Sequence, residues 1–308
     1  MMRTITLALL VLLLGLTIVS AQDNDLEVIE VELGDNQTAR LIPLYQNFDL
    51  FEQLVSNEIS LRDFPRDRRF IATCAQQWFG AMSFFDLPDF EAGLRQRVLN
   101  QYRRQAERID DSILTTISDA LIASAELLPS ADIDICIMPV NFGEGFISGT
   151  ASSGKMLLLI GDYPDDSSAE PLSLIVAHEY HHHARDADPQ TATSGTILLE
   201  RVVTEGMAVM FSYLVYPEWF DEIERFEYDE QELAIWEIFE PNLRSLETET
   251  FNTFMFGERQ DLPASAGYYL GFQILDAYLD NNPDVSIEEW TRLSGDQIYE
   301  ASNYEPSE

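Results

Sequence analysis

All four histidines of the chain, His178, His181, His182 and His183, fall in one stretch, IVAHEYHHHARD, residues 175–186. His178 and His182 stand four apart, so on a helix their rings project side by side from one face. That spacing suits chelation of a single metal ion. Glu179 lies one residue round the helix, too close to His178 to share the chelate and well placed to reach a metal-bound water. The pattern is H-E-x-x-H, two metal-binding histidines with a glutamate positioned as general base. The bland alternative is a surface cluster that binds metal without chemistry.

A catalytic zinc takes three protein ligands and keeps one position open. No histidine or cysteine follows His183, so the third ligand must be a carboxylate. The segment ILLERVVTEGMAVMFSYLVY, residues 197–216, is an apolar helix carrying two acids, Glu200 and Glu205. A carboxylate inside such a helix is costly unless it is paired or coordinated. Glu205 is the better ligand, because Gly206 and Ala208 beside it allow close packing against the histidine helix. Glu200 remains the alternative, and either acid has Arg185 or Arg201 as a possible salt-bridge partner. His181 and His183 read mainly as helix-surface residues, with His181 a candidate substrate contact.

Other elements must position these groups. Leu172 to Arg185 contains no Gly or Pro, and Pro171 suits a first helical turn. Leu174, Ile175 and Val176 would seat that helix in a core. Upstream, LEVIEVEL (26–33) reads as a strand, and helical spacing covers 46–60, 66–82, 89–109 and 111–128. Two β runs, 133–140 and 155–164, flank a glycine- and serine-rich stretch at 141–154. Helices are expected again at 171–186, 196–215, 230–247, 264–280 and 287–299. The class is α+β, mainly helical, with a small sheet just ahead of the H-E-x-x-H helix. A mostly helical region at 22–130 precedes the metal-binding region at 131–308. No compositional shift separates them, and one continuous domain fits as well.

The chain has 54 acidic and 18 basic residues, a net charge of −36, and a single lysine, Lys155. Such a surface repels nucleic acid and anionic lipid, and its field favours neutral or basic peptides. Residues 1–21 combine Arg3, an apolar run from Ile5 to Val19, and the small residues Ser20 and Ala21. This is an export-signal pattern with cleavage expected after Ala21. The run is shorter than the roughly 20 residues of a spanning helix, so no stable membrane insertion is expected. In an exported protein Cys74 and Cys136 form either a disulfide or two unrelated buried thiols.

HEYHH followed by TEGMA resembles the gluzincin branch of zinc metallopeptidases. More narrowly, LSLIVAHEYHHHAR, LLERVVTEGMAVMF and LPASAGYYLGFQILDAYL (262–279) resemble a family of predicted bacterial zinc-dependent proteases, over roughly residues 130–280. The resemblance implies a zincin-like fold and one Zn2+ bound by His178, His182 and Glu205. It also implies Glu179 as general base and a peptide or protein substrate. One departure is Val209, where many gluzincins place an aspartate four residues after the ligand glutamate. The third stretch offers Tyr268 or Tyr269 as donor to the oxyanion of a tetrahedral intermediate, with core packing as the alternative role. The expected activity is peptide-bond hydrolysis by an exported zinc metallopeptidase. The substrate would lie along an exposed strand edge at Met156 to Ile160, with 143–154 as a flexible rim. A zinc-binding or partner-binding protein without turnover, or a zinc hydrolase of non-peptide amides or esters, would share the same ligands.

Overall fold

In the computed structural model the described residues are 18–19, 26–34, 37–55, 69–71, 73–74, 92–144, 147–162, 169–193, 195–219, 231–257 and 262–307. The expected helix at 66–82 and the candidate export signal fall mostly outside them, as does the end of the expected helix at 46–60.

The two apolar runs ahead of the histidines form the centre of a mixed sheet. Strands β4 (Ile133–Glu144) and β6 (Lys155–Asp162) run parallel, with Ile135 opposite Met156 and Ile137 opposite Leu158. Met156 to Ile160 are all buried, as are Ile135, Ile137 and Met138. Continuous burial rather than alternation marks strands covered on both faces. The sheet extends in the order β1-β2-β3-β4-β6-β5, where β1 is Ile18–Val19, β2 Val28–Gly34, β3 Gln37–Pro43 and β5 Ile147–Ser152.

Two of these strands go beyond the sequence expectation. β3, QTARLIP, carries a charge mid-strand, and Arg40 is tolerated there because Asp134 of β4 meets its guanidinium at 2.6 Å. β5, ISGTAS, is small and polar, yet it pairs antiparallel with β6 from Ile147–Ile160 to Ser152–Lys155. The presumed flexible rim is therefore partly a strand. It also covers Met156 to Ile160, so the free edge expected there belongs to β5 instead.

Helices α1 (Phe48–Val55), α2 (Ala92–Ala106) and α3 (Ser112–Leu127) lie between β3 and β4. α2 packs on β4 and α3 on β2. Cys74 and Cys136 are joined by a disulfide, which ties the segment ahead of α2 to the central strand β4. The histidine helix α4 (Ala169–Ala187) follows β6 and packs on α3, β5 and β6. α5 (Leu198–Val215) then turns back against it. The expected 230–247 helix is shorter, α6 (Glu232–Phe239), and gives way to a 3-10 turn at Glu240–Asn242 that contains Pro241. A further helix, α7 (Thr248–Phe256), lies outside the expectation. After α8 (Ala266–Asn281), the expected 287–299 helix divides into α9 (Ile287–Thr291) and α10 (Gly295–Ser302). Ser286 with Glu289, and Ser294 with Gln297, form capping boxes that start each piece. Among the described residues no helix is long and apolar enough to cross a membrane.

α5 and α8 cross with their backbones in contact. A Cβ on Gly271 would run into the carbonyl oxygen of Val202, and one on Gly206 into the backbone of Gly271. Gly206 therefore seats α5 against α8 rather than against the histidine helix. Because the obstructing atoms are backbone, neither residue can yield by a rotamer change. Gly271→Ala should lower unfolding free energy by about 3 kcal/mol or more, at the upper end of overpacking costs. Urea denaturation would measure it, and a loss under about 1 kcal/mol would show that the two helices separate easily.

Candidate metal centre

α4 places one functional group on each side of itself. His178 and His182 face α5, where Glu205 meets them. The His178 and His182 Nε2 atoms are 3.1 Å apart, and each lies 3.2 Å from Glu205 Oε2. These atoms form the one cluster of metal-capable side chains found among the described residues. Tetrahedral zinc, with bonds of about 2.0–2.1 Å, spaces its donors about 3.3 Å apart. The observed triangle fits that ion. The three side chains are 16, 14 and 22 % exposed, so the cluster is mostly buried but reached by solvent.

Three acceptor atoms this close repel one another unless a proton or a cation lies among them. Burial works against a charged imidazole at His182. The neighbouring Glu205 charge and hydrogen bond outweigh that and push it up to about 9. Burial would likewise raise Glu205, but the His182 charge and hydrogen bonds to both histidines hold it well below the usual carboxylate range. A divalent cation would take the place of that proton.

Glu179 points toward β5. It is buried, which raises its carboxyl above the usual range; the charges of His178 and His182 oppose the rise and Glu205 adds to it. The Ala151 backbone N–H donates to it, while Oε2 has no hydrogen-bond partner. Gly149 supplies the space, since a Cβ there would lie 2.5 Å from Glu179 Cγ and 3.0 Å from Oε1. Neither Gly149 nor Ala151 stands out in the sequence. Their signal is a glycine within the segment that pairs with β6, visible only once that segment is known to be a strand.

The remaining faces of α4 are structural. Tyr180 is buried, and its hydroxyl donates to the Leu128 carbonyl at 2.9 Å and pairs with Gln37 of β3. His183 is buried too, contrary to the surface reading. The Gly154 amide donates to its Nδ1 at 2.9 Å, so Nε2 carries the proton and donates to the Ala131 carbonyl at 3.0 Å. His181 is also buried, stacked on Trp290 and flanked by Phe211, with Nε2 3.2 Å from Thr291 Oγ1. Burial, aided by the nearby His182 and Arg185 charges, keeps it neutral. It is an inter-helix packing residue, not a substrate contact.

Glu200 is occupied elsewhere. Arg185 donates to it at 2.9 Å, and the Gly295 amide at the start of α10 donates to it at 2.7 Å. Arg185 also donates to the carbonyls of Thr291 and Ala192. Of the two candidate acids, Glu205 alone meets the histidines.

The two tyrosines also part. Tyr269 turns away from the histidines, buried, and donates to Glu232 at 3.0 Å. The expectation of an oxyanion donor does not fit it, because adjacent residues on a helix point about 100° apart. Tyr268 stays at the cluster, with its ring centroid 6.1 Å from that of His178. Burial raises its hydroxyl pKa, and Glu205 and Glu179 raise it further, so it remains a protonated donor.

Two imidazoles four apart on one helix, with a glutamate from the next, form a possible metal site of the H-E-x-x-H class with a carboxylate as third donor. Within that class, residues 113–300 match the family described as a predicted Zn-dependent protease (DUF2268), and the chain belongs to that family. The match runs from α3 to α10 and includes all the residues of the cluster. The family description points to zinc, to a hydrolase and to a peptide or protein substrate. A search of the curated proteins finds no match to this chain.

Zinc needs neutral imidazoles, and His182 is protonated at pH 7 before the metal arrives. Binding should release about one proton per ion at pH 7, and affinity should rise with pH and level off above about 9. Calorimetry in buffers of different ionisation enthalpy would detect the released proton. Identical heats in all buffers would contradict the charge state assigned to His182.

Proposed function

We propose that this chain is an exported zinc peptidase with a zincin-like site. His178, His182 and Glu205 hold one Zn2+ and Glu179 acts as general base. The observation that carries this is the three-donor triangle together with the buried Glu179, whose Oε2 has no hydrogen-bond partner and whose carboxyl feels the charges of His178, His182 and Glu205. A ligand triangle alone would serve a storage site. A buried glutamate left with a free oxygen next to it has a use only if something there gives up a proton.

Bound zinc would supply Lewis acidity and a water acidified toward neutral pH. The chain's own groups do the rest. Glu179, held by the Ala151 amide and shaped by Gly149, accepts the proton of the attacking water through its free oxygen and later returns it to the leaving amine. Its raised pKa makes it the stronger base for taking that proton. The Tyr268 hydroxyl, protonated and on a ring beside His178, would donate to the oxygen that becomes negative as the carbonyl is attacked.

β5 is the outermost strand on its side of the sheet and packs against α4. An extended peptide can pair with that edge and pass directly over Glu179. Export is supported by the Cys74–Cys136 disulfide, since such bonds persist in oxidising compartments.

Glu179→Gln should retain zinc with near-native affinity and lose peptide hydrolysis by at least about 100-fold, the lower range for general-base removal. Zinc titration beside a cleavage assay on a peptide library checks both halves, and normal cleavage by this variant would remove the proposed base. Gly149→Ala should also keep zinc while lowering kcat, because its methyl group displaces the Glu179 side chain. Unchanged kcat in that variant would show that the base tolerates the shift.

A further inference from the structure

Arg201 lies one helical turn before Glu205 on α5, so the two side chains leave the same face, roughly 6 Å apart at their Cβ atoms. Its guanidinium rests on the ring of Phe251 in α7, with Cζ 3.1 Å from the centroid. Among the described residues it has no ion pair. That is unusual company for a chain with 54 acids and 18 bases. Arg40, Arg103, Arg185, Arg244 and Arg292 each hold a carboxylate at 2.6–2.9 Å. Among the described residues Glu205 is the carboxylate whose charge acts on Arg201, and it does so without a hydrogen bond. Once Glu205 is committed to a metal ion, Arg201 is a half-buried cation on an aromatic seat, one helical turn from the cluster, with no anion of its own among the described residues.

We propose that Arg201 anchors a carboxylate of the peptide substrate, supplied by the chain terminus or by an Asp or Glu side chain near the scissile bond. This rests on the peptidase reading above. A planar guanidinium presents paired donors matched to a carboxylate, and stacking on Phe251 fixes its plane before substrate arrives. The acidic surface as a whole repels such a ligand. That field is screened over about 8 Å in physiological salt, whereas the guanidinium acts at contact in a partly desolvated site. The local cation would therefore decide the preference, against the neutral or basic peptides that net charge favours.

The test compares matched peptide sets on the zinc-loaded protein: free-acid against amidated C-termini, and Glu- or Asp-containing against Gln- or Asn-containing sequences. The wild type should prefer one carboxylate-bearing set by about 10–100-fold in kcat/KM, mainly through KM, the range for a charged hydrogen bond. The set showing the preference identifies the source. In Arg201→Gln the rate on that set should fall toward that of its neutral counterpart, and Arg201→Lys should recover part of it. Binding of the same peptides to zinc-loaded Glu179→Gln, measured by calorimetry, reads the anchor without turnover. If the wild type cleaves nothing, the peptidase reading fails, and the binding arm still decides the role of Arg201. Equal loss on charged and neutral peptides, or no Arg201-dependent difference in either arm, overturns the proposal and leaves Arg201 as a support for Phe251. Matching melting temperatures for the Gln and Lys variants exclude a folding defect.

Discussion

Two imidazole nitrogens and a carboxylate oxygen, all within 3.2 Å of one another, are the constraint around which this molecule is built. Left to themselves these acceptors would separate, because their lone pairs repel in a partly dry site. They stay together because α4 cannot rotate. Tyr180 and His183 fasten it to β3 and to the loop before β4, His181 wedges it against Trp290, and Arg185 locks its end to Glu200 and the start of α10. The residues beside His178 and His182 on α4 are thus the means by which the two rings keep their direction. The proton that His182 holds keeps the triangle together, and a cation with the right bond length would satisfy it better.

Glycine closes the distances that side chains would open. At Gly206 and Gly271 two helices meet backbone to backbone, which fixes the depth of α5 and with it the height of Glu205. At Gly149 the edge strand leaves room for the Glu179 side chain while the amide two residues on holds its carboxylate. The strand that would bind an extended substrate is therefore also the strand that aims the base. In the proposed reaction one element would set both substrate register and proton transfer, so errors in one would disturb the other.

Electrostatics divide by range. The overall charge of −36 governs what approaches the protein, but within the site the balance is local. Glu205 is neutralised by histidines or metal, Glu179 is held toward its protonated form by burial, and Arg201 stands with Phe251 as an unspent positive group. Composition describes the first regime and is blind to the second.

The H-E-x-x-H spacing and the choice of a downstream carboxylate were legible in the chain alone. Helical periodicity fixes which side chains share a face, and no other histidine competes for the role. The apolar runs at 133–140 and 155–164 were likewise plain, because a strand buried on both faces has no other composition available to it. Glu200 and Glu205 illustrate the limit: both are acids in one apolar helix, and only the packing of α4, α5 and α10 sends one to an arginine and the other to the histidines. Tyr268 and Tyr269 part for the same reason, as do the buried roles of His181 and His183. β3 and β5 escaped because their residues are polar or small, and their strand character comes from the neighbours that pair with them. What a local period dictates is written in the sequence; which of two equivalent groups finds a partner is decided by contacts between residues far apart in the chain, which only the folded arrangement creates.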